Sequence, residues 1–269
     1  MKKTWMLLAV AAWAGAGAPL QGQVRWERGD QGWCDQDRSG GDRERSCEVL
    51  TTTLEAPAGI TVNGGANGGV VVSGWDRSEV QIRAKVWADA PSEERAQEIE
   101  KGVKISVDGG RISSDGPDTG RRESWGVSYE IMVPRAMDLD IDTRNGGVSV
   151  TDVSGDIRFR AMNGGVHLVR VGGDVRGRTT NGGLTVELAG DHWEGAGLDA
   201  QTTNGGVKMV VPQDYSAELV TGTVNGGMNI DFPITVRGRI GRQIRTTLGE
   251  GGATIRVTTT NGGVRITRG

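Results

Sequence analysis

Apolar residues recur at alternate positions through most of the chain, in short runs broken by glycine. Val80, Ile82, Ala84 and Val86 alternate with Gln81, Arg83 and Lys85, and the same period returns in Leu139 and Ile141, Ile157 and Phe159, and Val166 and Leu168. A period of two belongs to a strand with one buried face and predicts β-structure nearly throughout. A helix is predicted in one place only. Pro91-Ser92-Glu93-Glu94 opens it, with proline early and glutamates in the first turn, and it runs to about Lys101.

A motif orders these runs. Asn-Gly-Gly followed by an apolar residue occurs at Asn67, Asn145, Asn163, Asn181, Asn204, Asn225 and Asn261, and the five from Asn145 to Asn225 are spaced by 18, 18, 23 and 21 residues. A period near 20 marks a repeat architecture. Aligned on the asparagine, apolar residues stand three and five positions after it, as in Val148 and Val150, Leu184 and Val186, Val207 and Met209, Met228 and Ile230, and Val264 and Ile266. Six and four positions before it stand Leu139 and Ile141, Ile157 and Phe159, Val175 and Gly177, and Leu198 and Ala200. Each repeat is therefore two short strands. The Asn-Gly-Gly between them is a structural turn, with glycine expected at φ > 0 and asparagine expected to satisfy turn backbone or stack on its counterparts.

Two topologies fit this all-β pattern. One is a parallel β-solenoid, β-helix-like, with one short helix near its N-terminal end; the other is an antiparallel β-sandwich built from Asn-Gly hairpins. Between the inward positions, the aligned repeats read Asp140, Arg158, Arg176, Asp199 and Asp142, Arg160, Arg178, Gln201. In a solenoid these become columns of arginines flanked by aspartates, an arrangement that favours the solenoid. The expected divisions are 1–22 as signal peptide, 23–47 as a polar segment with a disulfide, 48–135 as an N-terminal β region with the helix, and 136–269 as the repeat solenoid.

The signal peptide is read from Met1-Lys2-Lys3, the apolar run from Trp5 to Ala18, and Pro19-Leu20-Gln21-Gly22, with cleavage expected after Gly22. It predicts an exported protein, periplasmic, at the cell surface or extracellular, without a transmembrane segment. In such a compartment the two cysteines, Cys34 and Cys47, are expected to form one disulfide. The 31 basic and 34 acidic side chains are interspersed, with a formal charge of −3, so no nucleic-acid partner is expected.

A signal peptide, Gly74-Trp75-Asp76-Arg77 ahead of Val80 to Val86, a short helix around Ala96 and serial Asn-Gly-Gly-apolar turns together resemble the bacterial putative-adhesin family of exported β-strand-repeat proteins, a family of unknown function. The likeness covers about residues 48–269, and the paired cysteines look like those of some exported members. The resemblance implies a β-helical fold at the cell envelope and offers no catalytic residues to carry over.

The residues offer little chemistry of their own. His167 and His192 have no catalytic setting, and no serine sits in a Gly-x-Ser-x-Gly turn. Asp138, Asp140 and Asp142 share one strand face, and paired carboxylates serve glycoside cleavage, but arginines beside Asp140 and Asp142 would keep them ionised. The turns also lack the Gly-Gly-x-Gly-x-Asp of a calcium β-roll. No metal, cofactor or catalysis is expected. The leading reading is a noncatalytic adhesin-like scaffold or recognition module for an envelope protein or glycan; the alternative is a polysaccharide-active β-helix enzyme, a lyase or glycosidase. Trp193 in the longest insertion is a candidate contact, with burial against the solenoid as the equal alternative, and Asp140 and Asp142 are candidate contacts. The final repeat, ending at Gly269, is expected to leave an exposed strand edge open to self-association.

Overall fold

The Asn-Gly-Gly repeats stack in parallel, one strand of each in either of two sheets. The computed structural model describes residues 24–35, 42–234 and 241–269, so the signal peptide expected over 1–22 lies outside the described residues. Within them one sheet has eleven strands and the other ten, called here the first and second sheets. The Asn163 repeat contributes Ser154–Asn163 to the second sheet and Val166–Val169 to the first. Its Ile157 lies beside Leu139 and Val175, and its Val166 beside Val148 and Leu184. Residues equivalent in the aligned sequence are thus neighbours in space, which makes the fold a parallel β-solenoid. Antiparallel pairing, the basis of the alternative sandwich, occurs among the described residues only at the two ends.

The register follows from the pattern. A one-residue slip would turn every apolar side chain of a rung outward, so Leu139, Ile157, Val175, Leu198 and Ile255 hold one inner column and Val148, Val166, Leu184, Val207 and Val264 another, all buried. The ladder begins before residue 136. The Asn67 rung, Gly59–Asn63 and Val70–Trp75, stacks directly on the Asn145 rung and shares its hydrophobic core.

At the N-terminal end that first rung is covered by Ser124–Pro134 in the first sheet and Arg111–Asp115 in the second. Two twelve-residue strands, Glu79–Ala90 and Glu44–Glu55, continue the first sheet antiparallel. Helix α1, Glu93–Gly102, starts at Ser92, whose hydroxyl accepts the Arg95 amide, and buries Ala96 and Ile99 against Ala88 and Ala90. It covers the far end of the long strands; the solenoid mouth itself is closed by strands. Cys34 and Cys47 are bonded to each other. The Gln31 side-chain amide reinforces the link, donating to the Val49 carbonyl and accepting the Val49 N–H.

The C-terminal repeat is not the outermost rung. Thr254–Asn261 lies between Gly197–Asn204 and Ala217–Asn225, and Val264–Arg268 lies between Val207–Val211 and Met228–Ile230. This corrects the expectation of an exposed C-terminal edge available for self-association: that edge is paired on both sides. After the Asn225 rung the chain returns along Gln243–Leu248, antiparallel to Ala217–Asn225. A turn with Gly249 and Gly251 at φ 51° and 84°, a region that glycine enters without penalty, then sends it into the gap beside Asn204. The outermost described strands at this end are Met228–Ile230 and Gln243–Leu248.

Candidate functional site

Stacking places the seven motif asparagines in one continuous column. Each side-chain amide donates to the carbonyl of its neighbour: Asn145 to Asn67 at 3.1 Å, Asn163 to Asn145 and Asn181 to Asn163 at 2.8 Å, Asn204 to Asn181 at 2.9 Å, Asn261 to Asn204 at 2.8 Å and Asn225 to Asn261 at 2.7 Å. Asn67 ends the series by donating to the Trp125 carbonyl. All the amides point the same way, so each bond polarises the next. The ladder uses one N–H and one carbonyl lone pair of each amide, so the first role of the column is to tie the rungs together.

Beneath the asparagines runs a column that the sequence pattern alone did not single out. Two positions before the asparagine stand Thr143, Thr179, Thr202, Thr223 and Thr259, all buried. Thr179 donates to the Gly164 carbonyl, Thr202 to Gly182, Thr259 to Gly205 and Thr223 to Gly262, each in the adjacent rung. Where Ala161 interrupts the column, Thr143 serves the Gly146 carbonyl of its own turn instead. The signal is present in the aligned repeats, as a threonine recurring two positions before the motif.

At five of the seven motifs, Gly68 and Gly262 being the positive-φ exceptions, the reason for the first glycine also needs correcting. Gly146, Gly164, Gly182, Gly205 and Gly226 do not adopt the left-handed conformation expected of them. Their constraint is close approach. A Cβ on Gly164 would stand 2.1 Å from the Gly146 carbonyl oxygen, and one on Gly182 2.0 Å from that of Gly164.

At another corner, seven residues after Asn145 and Asn163, Asp152 and Arg170 take left-handed φ values of 57° and 50°. Arg170 grips Asp152 with two bonds of 2.7 and 2.6 Å, and Arg135 lies between Asp152, at 3.8 Å, and Asp76, at 2.7 Å. The arginines hold the Asp152 and Asp76 carboxyls below the usual range, chiefly through these hydrogen bonds. Beside α1, the Arg95 guanidinium and then the Gly120 N–H hold Glu123 down to about 2. Lowered folded-state values mean stability that is present above the unfolded pKa, near 4, and lost as the pH falls through the folded values. The melting temperature is therefore expected to be level from about pH 7 to 5 and to drop between about pH 4 and 2. Arg95→Gln should shrink that drop in circular-dichroism melts; a melting temperature that rises in acid would contradict the assignment.

The outer face of the second sheet holds the candidate carboxylates. Arg158 and Arg160 stand in register beside Asp140 and Asp142, as the alignment of repeats implies. Arg158, however, bonds Asp156 of its own strand at 2.9 Å, and Asp138 accepts the Asp156 N–H at 2.8 Å. Asp138 and Asp140 line a shallow cavity of about 300 Å³, from which Asp142 is absent, so Asp140 and Asp142 do not converge on one site. Among the described residues no three His, Cys, Asp or Glu side chains gather to hold a metal. His192 lies 2.6 Å from Asp191, and His167 faces solvent between Ser149 and Thr185.

Trp193 is not an exposed contact. It is 5% exposed, belongs to the main core, and its indole N–H donates to the Gly173 carbonyl at 3.0 Å. The insertion folds inward because an indole needs apolar cover and one hydrogen-bond partner, and both lie over the neighbouring rung. No helix among the described residues is long and apolar enough to cross a membrane.

Among solved structures, the chain is similar to one described as a putative cell adhesion protein from Clostridium sporogenes ATCC 15579, at 10% identity and a TM-score of 0.45, covering 84% of this chain and 100% of that one. It is similar to a putative adhesin from Bacteroides fragilis NCTC 9343 at 10% identity and a TM-score of 0.28, covering 82% and 96%. A putative lipid binding protein from Parabacteroides distasonis ATCC 8503 shares 6% identity at a TM-score of 0.28, over 84% and 97%. No curated protein matches the chain. The model of the family Toastrack DUF4097 matches residues 129–267, more than half of the 269 residues and all the turns from Asn145 to Asn261, and the chain belongs to that family.

Proposed function

We propose that this chain is a noncatalytic scaffold or recognition module of the bacterial envelope or cell surface, taking a protein or glycan partner. The observation that carries this reading is the division of labour in the solenoid. Asparagine, threonine and first-glycine columns hold the rungs together, while the outer face of the second sheet presents charged and polar side chains in columns at the strand spacing. The ladder fixes the spacing of these positions before any partner arrives, which favours recognition of an extended partner with a matching repeat. Export, expected from the N-terminal residues, puts such a face where envelope polymers are.

Incubation of the purified protein with glycan polymers and with a solubilised envelope fraction tests the proposal. Retention of a partner with polymer length unchanged is the expected result. Reproducible chain cleavage that disappears in Asp140→Asn or Asp142→Asn would replace the scaffold with a polysaccharide-active enzyme.

A further inference from the structure

The second sheet carries a cavity of about 310 Å³ on its outer face, toward the C-terminal end of the solenoid. Its floor is one column of the ladder. Arg178, Gln201, Thr258 and Gly222 are register neighbours on four successive strands, three strand spacings or roughly 14 Å from first to last. Gly222 ends the column because the returning chain crosses there: a Cβ at 222 would stand 2.4 Å from the Arg242 carbonyl oxygen, which accepts the Thr223 N–H at 2.9 Å. That crossing sets Arg242 at the opposite end of the cavity from Arg178. Thr203 and Thr260 complete the polar wall, and no Asp or Glu lines it.

Neither guanidinium forms an ion pair among the described residues, in contrast to Arg158, Arg176 and Arg256 on the same face. Arg178 moreover stands in register beside Arg160, which also has no ion pair among the described residues. Like charges on adjacent strands cost stability, and an anion between them reverses the sign. The lining contains hydroxyls, two amides and two guanidiniums, with Val224 its one apolar side chain and no aromatic face, so it suits sugar hydroxyls and oxyanions and gives nucleobases nothing to stack on. Asp142 and Asp199, on neighbouring strand positions, oppose a densely charged polymer and favour one with a single charge per sugar.

We propose that this cavity binds an acidic glycan strand of the uronate class, with Arg178 and Arg242 holding carboxylates and Gln201, Thr203, Thr258 and Thr260 meeting sugar hydroxyls. The proposal rests on the recognition reading above and names its ligand class. Full-length exported protein is titrated with polygalacturonate and with neutral dextran. Polygalacturonate should bind and dextran should not, and raising the salt concentration should weaken the complex. The double variant Arg178→Gln/Arg242→Gln should lose about tenfold or more in affinity with a melting temperature unchanged or slightly raised, since it relieves the Arg160 and Arg178 repulsion. Arg265→Gln, which removes a charge from the other sheet, should stay within about twofold of the parent. Equal affinity of the double variant and the parent overturns the site, as does absence of polygalacturonate binding. If a neutral glycan or an envelope protein is retained in that case, the recognition reading stands without this site. Cleavage of polygalacturonate would sink the noncatalytic reading, while the double variant would still report whether these arginines hold the polymer.

Discussion

A chain ended after Ala253 is expected to lose far more than the 16 residues removed. The missing segment is an internal rung. It buries Ile255, Val257, Val264 and Ile266, a loss of about 6–12 kcal/mol at the usual 1.5–3 kcal/mol per buried aliphatic side chain, as an upper estimate. It is also the main attachment of what lies beyond it. Among the described residues, Ala217–Asn225 pairs only with Thr254–Asn261 and Gln243–Leu248, and Met228–Ile230 pairs only with Val264–Arg268. Without the inserted rung, Asn225 loses its acceptor Asn261 and the strands from 217 onward lose their native ladder partner; they regain one only by closing onto the vacated Gly197–Asn204 edge, two strand spacings away. Limited proteolysis followed by mass spectrometry should therefore find a resistant fragment ending near residue 211–216, with everything C-terminal to it digested. In a solenoid whose last repeat is its last rung, the same truncation would trim one coil and leave the rest protected. Protection that extends through Asn225 would show that the Asn225 rung closes onto the vacated Asn204 edge and that the inserted rung is not what anchors it.

How much of the fold is legible in the sequence follows from how periodicity works. An inward residue at a fixed offset from each asparagine must stack on its equivalent, because a slip would bury charge, so the columns of Leu139, Ile157 and Val175 can be read from the aligned repeats alone. The order of rungs cannot. The Asn261 rung presents nearly the same pattern to Asn204 and to Asn225, so local pairing preference does not tell insertion from addition; the decision lies in the return along Gln243–Leu248 and the turn after it, which carry no motif. Trp193 is ambiguous for another reason. Its neighbours Asp191, His192 and Glu194 are polar and hide an indole that turns inward to one carbonyl of the adjacent rung. The candidate anion site is legible only in part, since the Arg160 and Arg178 column follows from alignment, whereas Arg242 reaches it only through the returning chain.

The motif's two glycines should behave oppositely, although they are adjacent in sequence and belong to one turn. Gly164→Ala is expected to destabilise by about 1–3 kcal/mol, the range for forced overpacking. Its Cβ would meet the Gly146 carbonyl oxygen at 2.1 Å and carbon at 2.4 Å. Both are backbone atoms of the turn after Asn145, which is hydrogen-bonded to the turns of the rungs on either side, and neither can rotate away. Relief would require the rungs to part locally, and with them the Asn163 to Asn145 bond that spans the same step. Gly165 is different, because the nearest atom to its Cβ is the Gly183 carbonyl oxygen at 3.5 Å, an ordinary contact, and its φ is not positive. Gly165→Ala should therefore be neutral or stabilise by up to about 1 kcal/mol, since alanine narrows the freedom of the unfolded chain without straining the folded one. Urea unfolding of the two variants beside the parent, with equal m-values, measures the difference directly. Similar midpoints for both variants would mean that the rungs can spread to admit a methyl group, and that the first glycine is not what sets their approach.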